Sequence, residues 1–432
     1  MESKHLDQEQ TELLLILKEI TINELKDIQI DKVLFNNTRD ALMKSRCQSY
    51  KAMIKAIVAN SINFESVLRN SNRPLIITYD YHRRDHTEYW SRFKAIVGSY
   101  DEIRVDVGEK HAVSPREFIR AITRYHSVNK QLKRIKDKKS RRVLAAALVD
   151  LLKVNDYIEK LKLNNAAAFI FFDGNYVENL IVQKLRNKGI TVATMQHGQP
   201  VFHGLDCDRI NQTMILNFSS DYIMVTGEFS KKQFMLGGVP EKKIFVGGSL
   251  RKVNQVKASK EKDFVVFLDC PTNPNAVRDN KELMECAKKI SNILDSRYVI
   301  KCHPQDDPQN YSNFSDCRGV FAAKGTCIQE ILEAKRFGIL HASGVYLDII
   351  SEGIKAFCYV NDTDFPLVEE GMDSFVTVNE LFEKIKIWDS YKTDEKREYM
   401  CNLMEYYLSP FDVENRYKEF VNKLNSSNRV DN

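Results

Sequence analysis

The chain has 432 residues, 43% of them hydrophobic and 28% charged, which is a length for two domains and a composition that excludes a collagen, a disordered tail or a small disulfide scaffold. Its net charge of +5 is too small to imply nucleic-acid binding, so no nucleic-acid partner is expected. The longest apolar runs, 13–17, 143–149 and 166–172, fall far short of the ~20 residues that cross a bilayer. The first residues carry no signal-peptide core, and nine scattered cysteines without a CxxC pair read as reduced thiols, so a cytoplasmic location is expected.

Residues 1–70 read as helices, because apolar positions recur at helical spacing through 13–25 and 42–58. A strand at 75–79 follows Pro74, then come a helix at 87–97 and a strand at 102–107. Residues 114–163 return to helix, with 143–152 buried. The alternation then tightens into strand 167–172, helix 176–187, and strands 191–195, 222–226 and 244–246. Short apolar strands separated by helices mark a parallel sheet. The polar stretch 251–263 reads as a linker. Behind it a second series runs through strands 264–268, 298–301, 320–321, 337–341 and 355–359, with helices at 281–294, 327–334 and 346–350, before helix returns over 379–425. The expected architecture is α/β, with two Rossmann-like domains facing a cleft and helical additions at both ends. Its expected divisions are 1–250, 251–385 and a helical 386–432 that packs back across the domains. Ligands in such sheets bind beyond the carboxyl ends of the strands.

Several strand ends carry chemistry. Strand 167–172 runs into Asp173-Gly174-Asn175, where an acid could act as a base or simply cap the helix that starts at Tyr176. Glu178, one turn on, reads as a surface acid that complements the helix dipole. Strand 191–195 ends in Gln196-His197-Gly198-Gln199-Pro200; His197 and Asp173 make an acid–base pair at adjacent strand ends, while His203 reads as structural. Strand 298–301 runs into Cys302-His303-Pro304, where His303 could donate to a phosphate or could close a turn. His341-Ala342-Ser343-Gly344 precedes a helix, so Ser343 and Gly344 read as a phosphate contact, an N-cap, or both, and Asp348 as an acceptor of ribose hydroxyls or simply an exposed acid. Gly247-Gly248-Ser249 after strand 244–246 is a further candidate phosphate loop, through Gly248 and Ser249.

The His and Cys residues lack metal-ligand spacing, and the triplets Asp206-Cys207-Asp208 and Asp362-Thr363-Asp364 read as loop acids, so no metal is expected. The run from Lys133 to Arg142 has seven cations and one acid. It reads as a solvated helix end, or as a peripheral contact with anionic lipid.

In order, these motifs resemble a GT-B-fold glycosyltransferase, and most closely bacterial surface-polysaccharide enzymes of the capsule type. Ser343-Gly344-Val345-Tyr346-Leu347-Asp348 with Gly353-Ile354-Lys355 is similar to the CDP-glycerol glycerophosphotransferases. Phe172-Asp173-Gly174 and His303-Pro304 are similar to the bacterial sialyltransferases. Phe172 stands where that pattern has an acid, Gly344 where it has a second Ser, and Ala356 where it has a Pro. The resemblance implies a CMP-, CDP- or UDP-linked donor as substrate, with no other cofactor, on the C-terminal half. It implies a glycan or lipid-linked acceptor on the N-terminal half, with Asp173, in preference to His197, as the base. The UDP-N-acetylglucosamine 2-epimerases share the expected fold and a similar Ser-Gly segment, and they define the alternative reading; a non-catalytic scaffold subunit is the third.

Overall fold

The computed structural model describes residues 2–427 apart from positions 61, 69–72, 81–83, 107–110, 172, 173, 175, 197, 203–211, 255–261, 271–275, 316, 317, 334, 342, 361–367, 369, 370 and 372. The chain forms two compact units. The first holds the residues up to Val225, Lys231–Gly247 and the chain from Asp412 on; the second holds Thr226–Ser230 and Gly248–Phe411.

The strands of the first unit are β1 (Ala59–Asn60), β2 (Asn63–Val67), β3 (Leu75–Asp80), β4 (Asp101–Asp106), β5 (His111–Ala112), β6 (Ala167–Phe171), β7 (Thr191–Met195), β8 (Tyr222–Val225) and β9 (Ile244–Val246). Seven of them form one sheet in the order β2-β4-β3-β6-β7-β8-β9, parallel throughout except for β2, which runs antiparallel along β4; β1 and β5 pair separately. Every residue of β6 is buried, as a central parallel strand covered on both faces requires. The helix Lys138–Lys160 shares the core with β6 and is capped by Asp137, whose carboxylate accepts from the Lys139 and Ser140 N–H groups at 3.1 and 2.9 Å. Burying a side chain such as Leu148 or Leu144 on it contributes about 1.5–3 kcal/mol. Strand β2 replaces part of the helix expected over 1–70. An edge strand is held by its partner's ladder, so its own pattern, exposed over its last three residues, carries little signal.

The second unit has β10 (Phe264–Phe267), β11 (Tyr298–Lys301), β12 (Gly319–Phe321), β13 (Phe337–Leu340), β14 (Lys355–Tyr359) and β15 (Ser374–Phe375). They form an all-parallel sheet in the order β12-β11-β10-β13-β14-β15. Phe264 stacks between Tyr298 and Phe337, with ring centroids 5.5 and 5.0 Å away. Lys355 is fully buried at the amino end of β14, paired with Asp373 and donating to the Tyr399 hydroxyl at 3.1 Å. A cation buried this far needs such partners, and this one ties the sheet to the helix Thr393–Leu408. That helix and Val378–Ser390 belong to the second unit, whereas the final helix, Val413–Ser427, belongs to the first. There Phe420 stacks on Phe245 at 4.0 Å and Tyr417 meets Phe93 edge-on. Among the described residues no helix is long and apolar enough to cross a membrane.

Candidate functional site

Two strand ends of the second unit, those of β11 and β13, carry residues singled out above. The sheet order places β10 between β11 and β13, so the His303 turn and the Ser343-Gly344 segment are one strand removed from each other, roughly 10 Å at the usual strand spacing. His303 is half-buried. Its Nδ1 accepts from the Gln305 N–H at 3.3 Å and its carbonyl accepts from the Asp306 N–H at 2.9 Å. With Nδ1 an acceptor, a neutral imidazole carries its proton on Nε2 and is a donor there.

A buried chain of hydrogen bonds stands behind this turn. The Tyr311 hydroxyl donates to Asp306 at 2.7 Å, and the Asn280 amide donates to Tyr311 at 3.0 Å and to the Asp269 carbonyl at 3.1 Å. The Asp269 N–H donates back to Asn280 at 2.8 Å. Burial pushes the Tyr311 phenol far up, which keeps it a donor. The end of β10 is thereby locked to the His303 turn through residues not singled out in the sequence; the only signal was Asp269 directly behind an apolar strand. Burial, and then the Asp306 charge, push the Cys302 thiol up to about 11.

Ser343 is not the N-cap. The cap position is Gly344, because the turn that closes from the Tyr346 N–H to the Ser343 carbonyl at 3.1 Å begins the seven-residue helix Val345–Ser351 one residue later. The Ser343 Oγ lies 3.4 Å from the Val345 N–H. Asp348 pairs with Arg251, a residue read only as the start of a linker; both side chains are largely buried. The Arg251 N–H donates to the Ser249 Oγ at 3.1 Å, and the Ser249 N–H donates to the Leu408 carbonyl at 2.7 Å. Ser249 is 3% exposed, so Gly248, at φ +89°, and Ser249 anchor Arg251 instead of opening a phosphate loop. The Asn254 N–H donates to the Ser351 carbonyl at 2.7 Å and its amide to Glu352 at 2.6 Å. The expected linker 251–263 is thus strapped to this helix over its first four residues; 255–261 lie outside the described residues.

In the first unit, Phe171 and Met195, the last residues of β6 and β7, are register partners. Asp173, His197, His203, Phe172 and both Asp-x-Asp triplets lie outside the described residues. Their frame is described. A Cβ on Gly174 would come 2.8 Å from the Thr213 carbonyl, so only glycine fits there. The Gln196 amide donates to the Gly198 carbonyl at 2.6 Å.

Glu178 is not a surface acid: it is 3% exposed, because the helix Tyr176–Asn187 is buried all round from Val177 to Leu185. Its polar neighbours are satisfied inside the unit. Asn179 donates to Asn217 and Ser219, each at 3.1 Å, and Gln183 donates to Asn179 at 2.7 Å.

Part of the basic run is engaged by the fold, while Lys133, Lys136 and Lys138 stand exposed. Arg134 pairs with Glu19, Lys139 donates to the Leu42 carbonyl at 2.7 Å, and Arg142 donates to Ser49 at 2.8 Å while lying 4.0 Å over the Tyr50 ring. Among the described residues no group of three His, Cys, Asp or Glu side chains is placed to hold a metal ion, and no cysteine is in a disulfide.

No protein-family model matches the sequence, and no curated protein matches it. Solved structures do. The UDP-N-acetylglucosamine 2-epimerase from Rickettsia bellii is similar with a TM-score of 0.50 at 13% identity, over 83% of this chain and 99% of that one. A putative UDP-N-acetylglucosamine 2-epimerase from Listeria monocytogenes gives 0.50 at 11% identity, over 79% of this chain and 94% of that one. At these identities the likeness is one of fold. The chain has the GT-B fold, with two Rossmann-like parallel sheets in successive halves and helical additions at both ends.

Proposed function

We propose that this chain is an enzyme acting on a nucleotide-activated sugar, with the nucleotide held at the strand ends of the second unit. The observation that carries the reading is the sheet order, which sets the His303 turn, braced by Asp306, Tyr311 and Asn280, one strand away from the strand that leads into the Ser343-Gly344 segment and the Arg251–Asp348 pair. In this reading His303 and Ser343 donate to the phosphates, Gly344 allows close approach, and Asp348 holds Arg251.

The reaction supported best is 2-epimerisation of a UDP-linked N-acetylhexosamine, the activity named for both structures whose fold this chain shares. Inverting C2 requires a proton to leave one face of the ring and return to the other, while the C1–O bond to the nucleotide breaks and re-forms. Asp173, His197 and the buried Glu178 are the acid–base groups assigned to it. The second reading is glycosyl transfer to a glycan or lipid-linked acceptor, favoured by the order of the Asp173-Gly174, Gln196-His197-Gly198 and His303-Pro304 motifs. Both readings need no divalent metal.

Incubation with UDP-N-acetylglucosamine alone in D2O separates them. Epimerisation yields the C2 epimer with deuterium at C2, read by proton NMR, and EDTA leaves the rate unchanged. Nucleotide release only when an acceptor is added would replace epimerisation with transfer. Neither product, with no nucleotide raising the melting temperature, would sink both.

A further inference from the structure

Three helices of the first unit pack together, and their contacts fix how they run. Arg142 donates to Ser49 at 2.8 Å and Lys153 to the Ala56 carbonyl at 2.7 Å, so the helix Arg46–Val58 runs in the same direction as Lys138–Lys160. The helix Pro115–Gln131 runs the opposite way, since Arg124 donates to Asp156 at 2.7 Å and the chain turns through 132–137 directly into Lys138. The start of Arg46–Val58, the end of Pro115–Gln131 and the start of Lys138–Lys160 therefore meet at one end. Met43 is there too, because Lys139 donates to the Leu42 carbonyl at 2.7 Å and the Ser140 hydroxyl to the Ala41 carbonyl at 3.3 Å.

This end concentrates the positive charge of the chain. Residues 39–58 and 130–142 hold thirteen Lys and Arg against two acids, so the net charge of +5 rests on them and the remainder of the chain is net acidic. Asp40 is taken by Lys44 at 3.4 Å, Glu19 by Arg134, and Asp137 caps the long helix. Outside these pairs Arg46, Lys51, Lys130, Lys133, Lys136 and Lys138 stand exposed, with no ion-pair partner among the described residues. The helix Arg46–Val58 contains no acid, and the residues it buries are the small Ser49 and Ala56. Its Ile54 and Val58 are instead 53% and 44% exposed, on the face that carries Lys51 three and seven residues back, and Met43 is 68% exposed. Core packing therefore does not account for these aliphatic side chains.

We propose that this end, with the outward face of Arg46–Val58, docks on an anionic lipid bilayer. The exposed cations meet the negative headgroups, each worth roughly five-fold in affinity close to the surface, while Met43, Ile54 and Val58 enter the interfacial layer. Charge alone does not choose between a lipid surface and a nucleic acid, since both present phosphates. The aliphatic side chains do choose: a bilayer takes them out of water, whereas a nucleic-acid backbone offers them no apolar surface. The surface lies wholly within the first unit and does not rest on the nucleotide-sugar reading.

Sedimentation of the full chain with lipid vesicles tests it. Vesicles of phosphatidylcholine mixed with phosphatidylglycerol bind the chain at least about ten-fold more tightly than pure phosphatidylcholine, and added salt weakens the binding. Replacing Lys133, Lys136 and Lys138 together by Gln weakens it by about 100-fold. Ile54→Gln combined with Val58→Gln weakens it by about ten-fold and leaves its salt dependence as in the native chain. Both variants keep the native melting temperature, because the side chains removed are exposed. No binding to the anionic vesicles, equal binding to pure phosphatidylcholine, or indifference to either set of substitutions would overturn the docking surface. Tighter binding of transfer RNA than of the anionic vesicles would overturn the bilayer in favour of nucleic acid.

Discussion

Asp348 is held by Arg251 in a largely buried ion pair on the second unit, and the Arg251 backbone is in turn anchored to Ser249. The acid expected to meet a ribose therefore already has a cation to satisfy. Its first effect is to fix a guanidinium beside the helix Val345–Ser351.

Breaking this pair should be costly and non-additive. Arg251→Ala and Asp348→Ala are each expected to lower stability by about 1–3 kcal/mol, because each leaves a partly buried charge without its partner. The double variant should lose less than the two separately, with a coupling of about 0.5–3 kcal/mol by urea denaturation. Strict additivity would mean that the pair contributes nothing.

The nucleotide assignment stands on His303 and Ser343. His303→Ala and Ser343→Ala should each weaken nucleotide binding by about ten-fold without lowering the melting temperature, since both lie near the surface of the strand-end cluster. Tyr311→Phe, which removes the donor to Asp306, should weaken binding less and destabilise more. Calorimetry that finds native affinity in both His303→Ala and Ser343→Ala would remove the assignment.

The base is expected to be Asp173. Asp173→Asn should cut turnover ~10²–10⁴-fold with nucleotide affinity intact. Asn caps a helix as well as Asp does, so a purely capping Asp173 would leave turnover near native. Near-native turnover in Asp173→Asn with a collapse in His197→Ala moves the role to His197; a collapse in Glu178→Gln instead moves it to the buried acid.

Cys302 should be a poor nucleophile despite its place beside His303. With its thiol pushed up to about 11 by burial and Asp306, roughly one part in a thousand is thiolate at pH 8, against about a quarter for a free cysteine of pKa ~8.5. Alkylation by iodoacetamide, followed by peptide mass spectrometry, should be at least about 100-fold slower than for free cysteine, and should still rise about ten-fold per pH unit between 8 and 10. A plateau near pH 9 would contradict the environment described.

The strand and helix pattern was largely legible in the residues themselves. Runs such as those of β6 and β10 announce strands because a central parallel strand is covered on both faces and must be apolar along its length. Histidine, serine and acid side chains directly behind such runs follow from the same local reading. Pairing is another matter, because it joins residues far apart in the chain and leaves no local mark. Only the folded sheet sets β10 between β11 and β13, makes 63–67 an edge strand, and delivers Arg251 to Asp348. Burial follows the same division. Glu178 reads as a surface acid from its position one turn into a helix, and it is the packing of that helix on every side that removes it from water.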